Sequence, residues 1–238
     1  MKKWTTSRGT VVTRILGGRS NVFLITSGKK HVLVDTSPGF MRERLFARLE
    51  KLDVKALELL LLTHTHFDHA ANAAAVQERY RAKVIVHTEE DSFLATGDNV
   101  LLYGMNRFTR KLVRKVTGRL MHYAKYEPCR SDIQLNGDCI VFSDKMEIMA
   151  IHTPGHTQGS VTYIVDDEIA LTGDAMFGVF PGQVMPPFGL DKDQVKQSWG
   201  KMLQSGTRIF MPSHGSSRQR RLVEKKYSEF LKITKSGH

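Results

Sequence analysis

A run of four leucines that leads into a cluster of histidines constrains this chain more than any other feature of its sequence. Residues 59–62 are predicted to form a short strand buried on both faces, because continuous apolar runs of this kind are typical of sheets covered by helices. The polar segment 63–69 begins where that strand is expected to end. It brings three of the ten histidines and an aspartate within six positions, in an H-x-H-x-D-H spacing that a simple surface turn would not require.

The spacing within this segment suits metal ligands. His64 and His66 lie two apart on an extended stretch, so their side chains can point to the same side. Asp68 and His69 then open a predicted helix over residues 70–81 and can reach back to the same point. Imidazole combined with one carboxylate suits zinc, iron or manganese, and the absence of Cys from this segment argues against a structural thiolate site. The segment therefore predicts a divalent metal site.

The chain resembles the metallo-β-lactamase-fold hydrolases in this motif, Thr-His-Thr-His-Phe-Asp-His, and in four further segments that follow the order of that family. These segments are Val-Leu-Val-Asp-Thr at 32–36, Thr-Pro-Gly-His-Thr-Gln-Gly-Ser at 153–160, Thr-Gly-Asp at 172–174 and Pro-Ser-His-Gly at 212–215. The resemblance implies an α/β fold of the four-layer αββα sandwich type, here with a helical insertion near 92–130. It also implies a metal-dependent hydrolase.

The same resemblance implies which residues hold the metals. One ion is expected at His64, His66 and His156, and the second at Asp68, His69 and His214. Asp174 is expected to bridge the two. Two divalent ions follow, with Zn²⁺ favoured over iron or manganese.

The implied reaction is hydrolysis of an acyl compound, a thioester or a lactone, by a hydroxide that bridges the two metals, as in the glyoxalase II-like and lactonase-like branch. Asp68 is the expected catalytic residue, because its free carboxylate oxygen can orient the nucleophile and pass a proton to the leaving group. β-Lactamases commonly have Cys or Ser in place of Asp174, which argues against antibiotic hydrolysis. Only 24 residues follow His214, fewer than the glutathione-binding segment of hydroxyacylglutathione hydrolases would need.

Two other activities stay open. A net charge of +11 suggests a phosphodiesterase or nuclease of the same fold. The same ligands can also support sulfur dioxygenase chemistry at a single iron. The positive charge is local, however. Residues 99–126 contain seven Lys or Arg and no acidic residue, and residues 215–238 contain seven basic and two acidic residues. We therefore expect a small acyl substrate, which could carry an anionic tail. Nucleic acid is the less favoured partner.

The basic segment 100–126 also has an apolar stripe at four-residue spacing: Phe108, Leu112, Val116 and Leu120. This pattern predicts an amphipathic helix. We favour a lid over the metal cleft, and a membrane-surface helix, a homodimer element or a helix that simply packs on the core remain alternatives.

The rest of the chain predicts a single domain over residues 1–238, with 41% apolar residues to fill one core. The segment 1–8 is polar and no run of 18 apolar residues occurs, so we expect a cytoplasmic protein without a transmembrane segment. Cys129 and Cys139 are too few for a disulfide framework and are expected to be reduced.

Strands are predicted at 11–15, 21–26, 31–35, 83–87, 138–142 and 146–152, with a helix at 41–52. Asp35 ends one strand, and two roles are open for it: a hydrogen-bond partner of the ligands, as the resemblance implies, or a cap of the turn at Pro38-Gly39. His87 ends another strand with no ligand pattern beside it, so it is expected to be structural or to lie outside the ligand set.

Overall fold

Two β-sheets lie at the centre of the chain, whose computed structural model describes residues 1–99, 103–105, 109, 111 and 124–236. Within these residues the first sheet has seven strands, in the order β1-β2-β3-β4-β5-β6-β7. They are β1 Lys2–Thr5, β2 Val11–Leu16, β3 Val22–Ser27, β4 Lys30–Val34, β5 Leu59–Leu61, β6 Lys83–His87 and β7 Ile133–Leu135. Strands β1 to β4 pair antiparallel, and β4 to β7 pair parallel.

The second sheet has six strands within the described residues, in the order β13-β12-β11-β10-β9-β8. They are β8 Cys139–Ser143, β9 Glu147–His152, β10 Val161–Val165, β11 Ile169–Gly173, β12 Ile209–Pro212 and β13 Arg218–Gln219. All neighbours pair antiparallel except β11 and β12. The described helices are a 3₁₀ turn Gly39–Met41, α1 Arg42–Lys51, α2 Phe67–Ala70, α3 Ala73–Tyr80, α4 Thr88–Thr96, α5 Lys192–Met202 and α6 Arg220–Ser236.

Three apolar cores separate four layers of structure. In the first core, Leu60 and Leu62 pack with Leu45 of α1 and other helical residues. The second core lies between the sheets and contains Leu59 and Leu61. The third joins the second sheet to residues of α5 and α6, including Trp199 and Val223. The leucines alternate between two cores, as a strand buried on both faces must, and the predicted αββα sandwich is confirmed.

The sequence analysis did not predict β7, β10, α4, α5 or α6, and the fold differs from the predictions in two further features. The sequence did not predict β1, which pairs with β2 and places Lys2 opposite Arg14. The helix predicted over residues 70–81 is also wrong as a single element, because Ala71 and Asn72 separate α2 from α3. The Asn72 amide donates to three backbone carbonyls at residues 36–38, over distances of 2.9–3.1 Å, and these bonds hold the chain out of a continuous helix.

The predicted apolar stripe Phe108, Leu112, Val116 and Leu120 lies outside the described residues. The lid, membrane-surface and dimer interpretations of segment 100–126 therefore remain predictions. None of the described helices combines the length and apolar character needed to cross a membrane.

Candidate metal centre

The structure brings all seven predicted ligands together at one edge of the two sheets. Each of them lies in a loop or short helix that follows one of four strands: β5, β9, β11 or β12. Their ligand atoms form three groups, each within 4.8 Å: His64 with His66 and His156, His64 with His69 and Asp174, and Asp68 with His69 and His214. Since these groups share members, the seven side chains make one continuous cluster.

Tight turns place two of the side chains. Gly173, just before Asp174, has a φ of +53°, and a Cβ there would lie 2.7 Å from the Thr63 Cβ. Gly155, just before His156, has a φ of +122°, and its Cβ would lie 2.4 Å from the Val195 nitrogen. A residue with a side chain would be strained and would clash at both positions, so these glycines let the backbone carry the ligand into the cluster.

Asp174 contacts both halves of the cluster. Its Oδ1 lies 3.7 Å from His69 Nε2, while its Oδ2 lies 3.6 Å from His156 Nε2 and 3.3 Å from His214 Nε2. Asp68 belongs to one half, with its Oδ2 3.3 Å from His214 Nε2 and 3.7 Å from His69 Nε2. One carboxylate is thus shared between the two groups of imidazoles.

The donor atoms fit a divalent metal. His66 Nδ1 lies 2.9 Å from His64 Nε2 and 3.0 Å from His156 Nε2, so three imidazole nitrogens converge on one point. His69 Nε2 and Asp174 Oδ1 are buried and have no hydrogen-bond partner among the described residues. Buried polar atoms without partners are costly, and a cation between them would satisfy them.

The protonation states divide the cluster in two. Burial and the neighbouring His156 lower the pKa of His66 to about 3, so it is neutral and ready to ligate. Burial alone would also lower the pKa of His69, but Asp68, Asp35 and Asp174 raise it to about 9. Burial opposes a proton on His214 as well, yet the neighbouring carboxylates raise its pKa to about 11. Without metal, His69 and His214 are therefore protonated on both ring nitrogens at neutral pH.

The outward-facing ring nitrogens of three ligands have partners of their own. His69 Nδ1 donates to Asp35 Oδ2 at 2.8 Å. His156 Nδ1 donates to the Phe188 carbonyl at 3.0 Å, and His214 Nδ1 donates to the Arg19 carbonyl at 2.7 Å. Such bonds fix ring orientation and leave the other nitrogen free for a metal.

Asp35 supports the ligands, which decides between its two predicted roles. It is buried, has a φ of +59°, and accepts from the Thr63 backbone N–H at 2.9 Å as well as from His69. The Thr63 hydroxyl donates to it too, at 2.9 Å. The carboxylate thus ties the end of β5 to the ligand histidine, and its role as a cap of the Pro38-Gly39 turn is not the one found.

A second carboxylate, which the sequence analysis missed, holds the loop between His64 and His66. Glu90 of α4 is buried, and its Oε2 accepts from the Thr65 N–H at 2.8 Å and from the Thr65 hydroxyl at 2.5 Å. From the other side, the Tyr126 hydroxyl donates to the Thr65 carbonyl at 2.8 Å. Thr65 is therefore clamped through its N–H, its hydroxyl and its carbonyl.

Asn99 makes a similar hydrogen bond two residues further along the ligand segment, at Phe67. Its Oδ1 accepts from the Phe67 N–H at 2.6 Å, and its Nδ2 donates to the Ala124 carbonyl at 2.6 Å. No local sequence signal points to Asn99, Glu90 or Tyr126, because each reaches the ligand loop from a distant part of the chain.

His87 stays outside the cluster, as expected. Its ring stacks on His152, with centroids 4.1 Å apart and an interplanar angle of 15°. Burial, followed by the charge of His152, lowers the pKa of His87. The charged form of the His87 ring is therefore disfavoured, and the ring lies apart from the seven converging side chains.

The arrangement defines a class of protein: an αββα sandwich whose strand-end loops carry five histidines and two aspartates suited to divalent metals. A family model, the metallo-beta-lactamase superfamily, matches residues 15–214. The chain belongs to this superfamily and is a metal-dependent hydrolase.

Similar proteins agree with this assignment. A probable metallo-hydrolase of Methanocaldococcus jannaschii is 31% identical over 183 residues, which are 76% of this chain and 79% of the relative. A hydroxyacylglutathione hydrolase of Haemophilus influenzae is 29% identical over 200 residues, 83% of this chain and 86% of the relative. The crystal structure of a metallo-beta-lactamase superfamily protein from Sulfolobus tokodaii is similar to this chain with a TM-score of 0.67 and 20% sequence identity. The match covers 95% of this chain and 87% of that protein, and at this identity it supports the fold alone.

Proposed function

We propose that the chain is a two-metal hydrolase of acyl compounds, either thioesters or lactones. One ion is held by His64, His66 and His156, and the other by Asp68, His69 and His214, with Asp174 between them. The position of Asp174 carries the proposal, because its two oxygens lie toward different histidines: Oδ1 toward His69, and Oδ2 toward His156 and His214. A carboxylate placed between two groups of ligands favours a two-metal site over a single-metal one.

Two divalent ions, when bound, supply an activated water and a Lewis acid for a carbonyl oxygen. The protein's own contribution beyond ligation is assigned to Asp68, whose side chain is 20% exposed and is the most open carboxylate of the cluster. Burial would raise the pKa of Asp68, but His69 and His214 lower it to about 2. It is therefore anionic at neutral pH and accepts a proton before it can donate one. A thiol leaving group suits this order, because a thiolate can leave without a strong acid.

A cavity beside the ligand loop supports an acyl substrate. Its volume is about 440 Å³, and it begins at Phe67, the residue between His66 and Asp68. Apolar side chains form much of the lining: Phe40, Phe67, Ala71 and Tyr126. The two lining cations are neutralised, since Arg42 pairs with Glu127 and Lys125 with Asp98. An uncharged acyl group fits this environment better than a phosphodiester.

The test combines metal content with hydrolysis. His64→Ala removes one ligand, and Asp174→Asn weakens the shared carboxylate. Both variants should bind less metal and lose nearly all turnover of the preferred substrate in a panel of S-lactoylglutathione, acetyl-coenzyme A, S-acetyl-N-acetylcysteamine and a homoserine lactone. His31→Ala is the matched control, because His31 lies on β4 and bonds Thr26, outside the cluster. Wild-type turnover with two metals bound in either ligand variant would contradict the assignment.

The same measurements separate the alternatives. Cleavage of bis(p-nitrophenyl) phosphate without acyl hydrolysis would favour the phosphodiesterase, and one iron per chain without any hydrolysis would favour the dioxygenase. A glutathione thioester belongs in the panel, because this chain covers 86% of the Haemophilus influenzae hydrolase.

A further inference from the structure

A second cavity, of about 320 Å³, lies at the outer edge of the first sheet and has a strongly basic lining. Four cationic side chains from three elements border it: Lys2 of β1, Arg14 of β2, and Arg44 and Arg48 of α1. No carboxylate belongs to the lining formed by the described residues. Its volume is at the lower end of the range of small-molecule sites.

The four cations are placed where they repel one another. Lys2 and Arg14 are directly opposite in the β1–β2 register, and Arg44 and Arg48 are one helical turn apart. Like charges at both spacings are destabilising. In the described part of the chain none of the four forms an ion pair. Three other arginines of this chain do have glutamate partners: Arg42 with Glu127, Arg79 with Glu50, and Arg208 with Glu168.

Arg14 links the cavity to the metal centre. Its Nη1 donates to the Gly215 carbonyl at 3.2 Å, and Gly215 directly follows the ligand His214. The guanidinium has further N–H groups to offer a ligand. Gly17, which also lines the cavity, leaves this group uncovered, since a Cβ there would lie 3.5 Å from Arg14 Nε.

We propose that this cavity binds a phosphate or pyrophosphate group. A multiply charged oxyanion would turn two repelling pairs of cations into a single favourable cluster, and guanidinium groups match phosphate oxygens in pairs. The group has two sources: the phosphorylated carrier of a thioester substrate, or a separate phosphorylated small molecule that binds beside the active site. The first source rests on the proposed acyl hydrolysis, and the second does not.

The binding experiment uses inorganic pyrophosphate and isothermal titration calorimetry of the metal-loaded protein. The test variant is Arg44→Gln/Arg48→Gln. The matched control is Arg130→Gln/Arg221→Gln, which removes the same charge from exposed positions outside the cavity. Pyrophosphate held at the metals would be bound alike by all three proteins. The test pair should weaken the additional site by about tenfold or more, since charge-assisted bonds are lost, and the control should stay within about twofold. Equal affinity in the test pair, or equal weakening in both pairs, would overturn the site.

A kinetic arm identifies the source. Acetyl-coenzyme A and S-acetyl-N-acetylcysteamine carry the same acyl group, but only the first has phosphates. If the substrate supplies the group, the test pair should raise the KM for acetyl-coenzyme A about tenfold more than that for the shorter thioester. If a separate molecule supplies it, pyrophosphate binding weakens while the ratio of the two KM values stays unchanged. Pyrophosphate binding is measured without turnover, so a failure of the acyl-hydrolase proposal would leave this result interpretable.

Discussion

Removing the Glu90 carboxylate should loosen the metal-binding loop. In Glu90→Ala, the Thr65 N–H and hydroxyl lose acceptors at 2.8 and 2.5 Å, and both lie in a buried environment. Each unsatisfied buried donor costs about 1–3 kcal/mol, so the free energy of unfolding should fall by about 3 kcal/mol. Glu90→Gln keeps one acceptor oxygen and should lose about 1–2 kcal/mol. Tyr126→Phe removes only the bond to the Thr65 carbonyl and should cost about 1 kcal/mol.

The effect on metal affinity is the informative part. Thr65 is the residue between His64 and His66. If the loop is released at Thr65, part of the free energy of metal binding is spent on bringing both imidazoles back into position. Outer contacts of this kind are typically worth about 10–100-fold in metal affinity. We expect a graded loss of affinity, largest in Glu90→Ala and smallest in Tyr126→Phe, with the bound metals in unchanged coordination.

Two measurements are needed. Urea unfolding of the metal-free protein gives the stability term, and competition with a chromophoric chelator gives the metal dissociation constant. Glu89→Ala is the matched control, because Glu89 is the exposed neighbour of Glu90 in the first turn of α4. If the Glu90 variants lose stability but bind metal as tightly as the wild type, then Glu90 only packs the helix against the loop, and the positioning argument is refuted.

Asp35→Asn should keep the fold, since Asn tolerates the positive φ of this position. It should weaken metal binding at His69 by about 10–100-fold in a chelator competition, and unchanged affinity would contradict the role of Asp35 in orienting that ligand. Metal uptake at pH 7 should release about two protons, because His69 and His214 have raised pKa values of about 9 and about 11 and must lose their protons to ligate. Affinity should therefore rise with pH, and calorimetry in buffers of different ionisation enthalpy would detect a lower proton count. Tyr163→Phe should cost about 1 kcal/mol in urea unfolding, because it leaves the buried Leu62 carbonyl without the hydroxyl that donates to it at 2.9 Å, and no loss would mean that water replaces the bond.

Much of the fold was readable from local patterns. The strand predicted at 83–87 has those bounds in the structure, and the hairpins at 11–35 are shifted by no more than a residue or so. The four leucines predicted burial on both faces, and Leu60 and Leu61 do belong to different cores. Apolar periodicity and turn residues act over a few positions, so a single sequence reports them well. β1 was missed because most of its residues are polar, and its stability comes from pairing with β2 and from Trp4, which packs against the second core.

The sequence by itself determined the set of candidate ligands, through short motifs that resemble those of the metallo-β-lactamase-fold hydrolases and contain residue types that suit a divalent metal. The resemblance already implied that Asp174 bridges the two groups of ligands. Only the tertiary structure gives the distances that join it to His69 and His156, which lie 105 and 18 positions away in the chain. It also recruited Glu90, Tyr126 and the basic cavity beside Arg14, none of which has a local signature. Contacts such as these depend on which strand ends meet at one edge of the sandwich, and that is set by the packing of the two sheets over the whole chain.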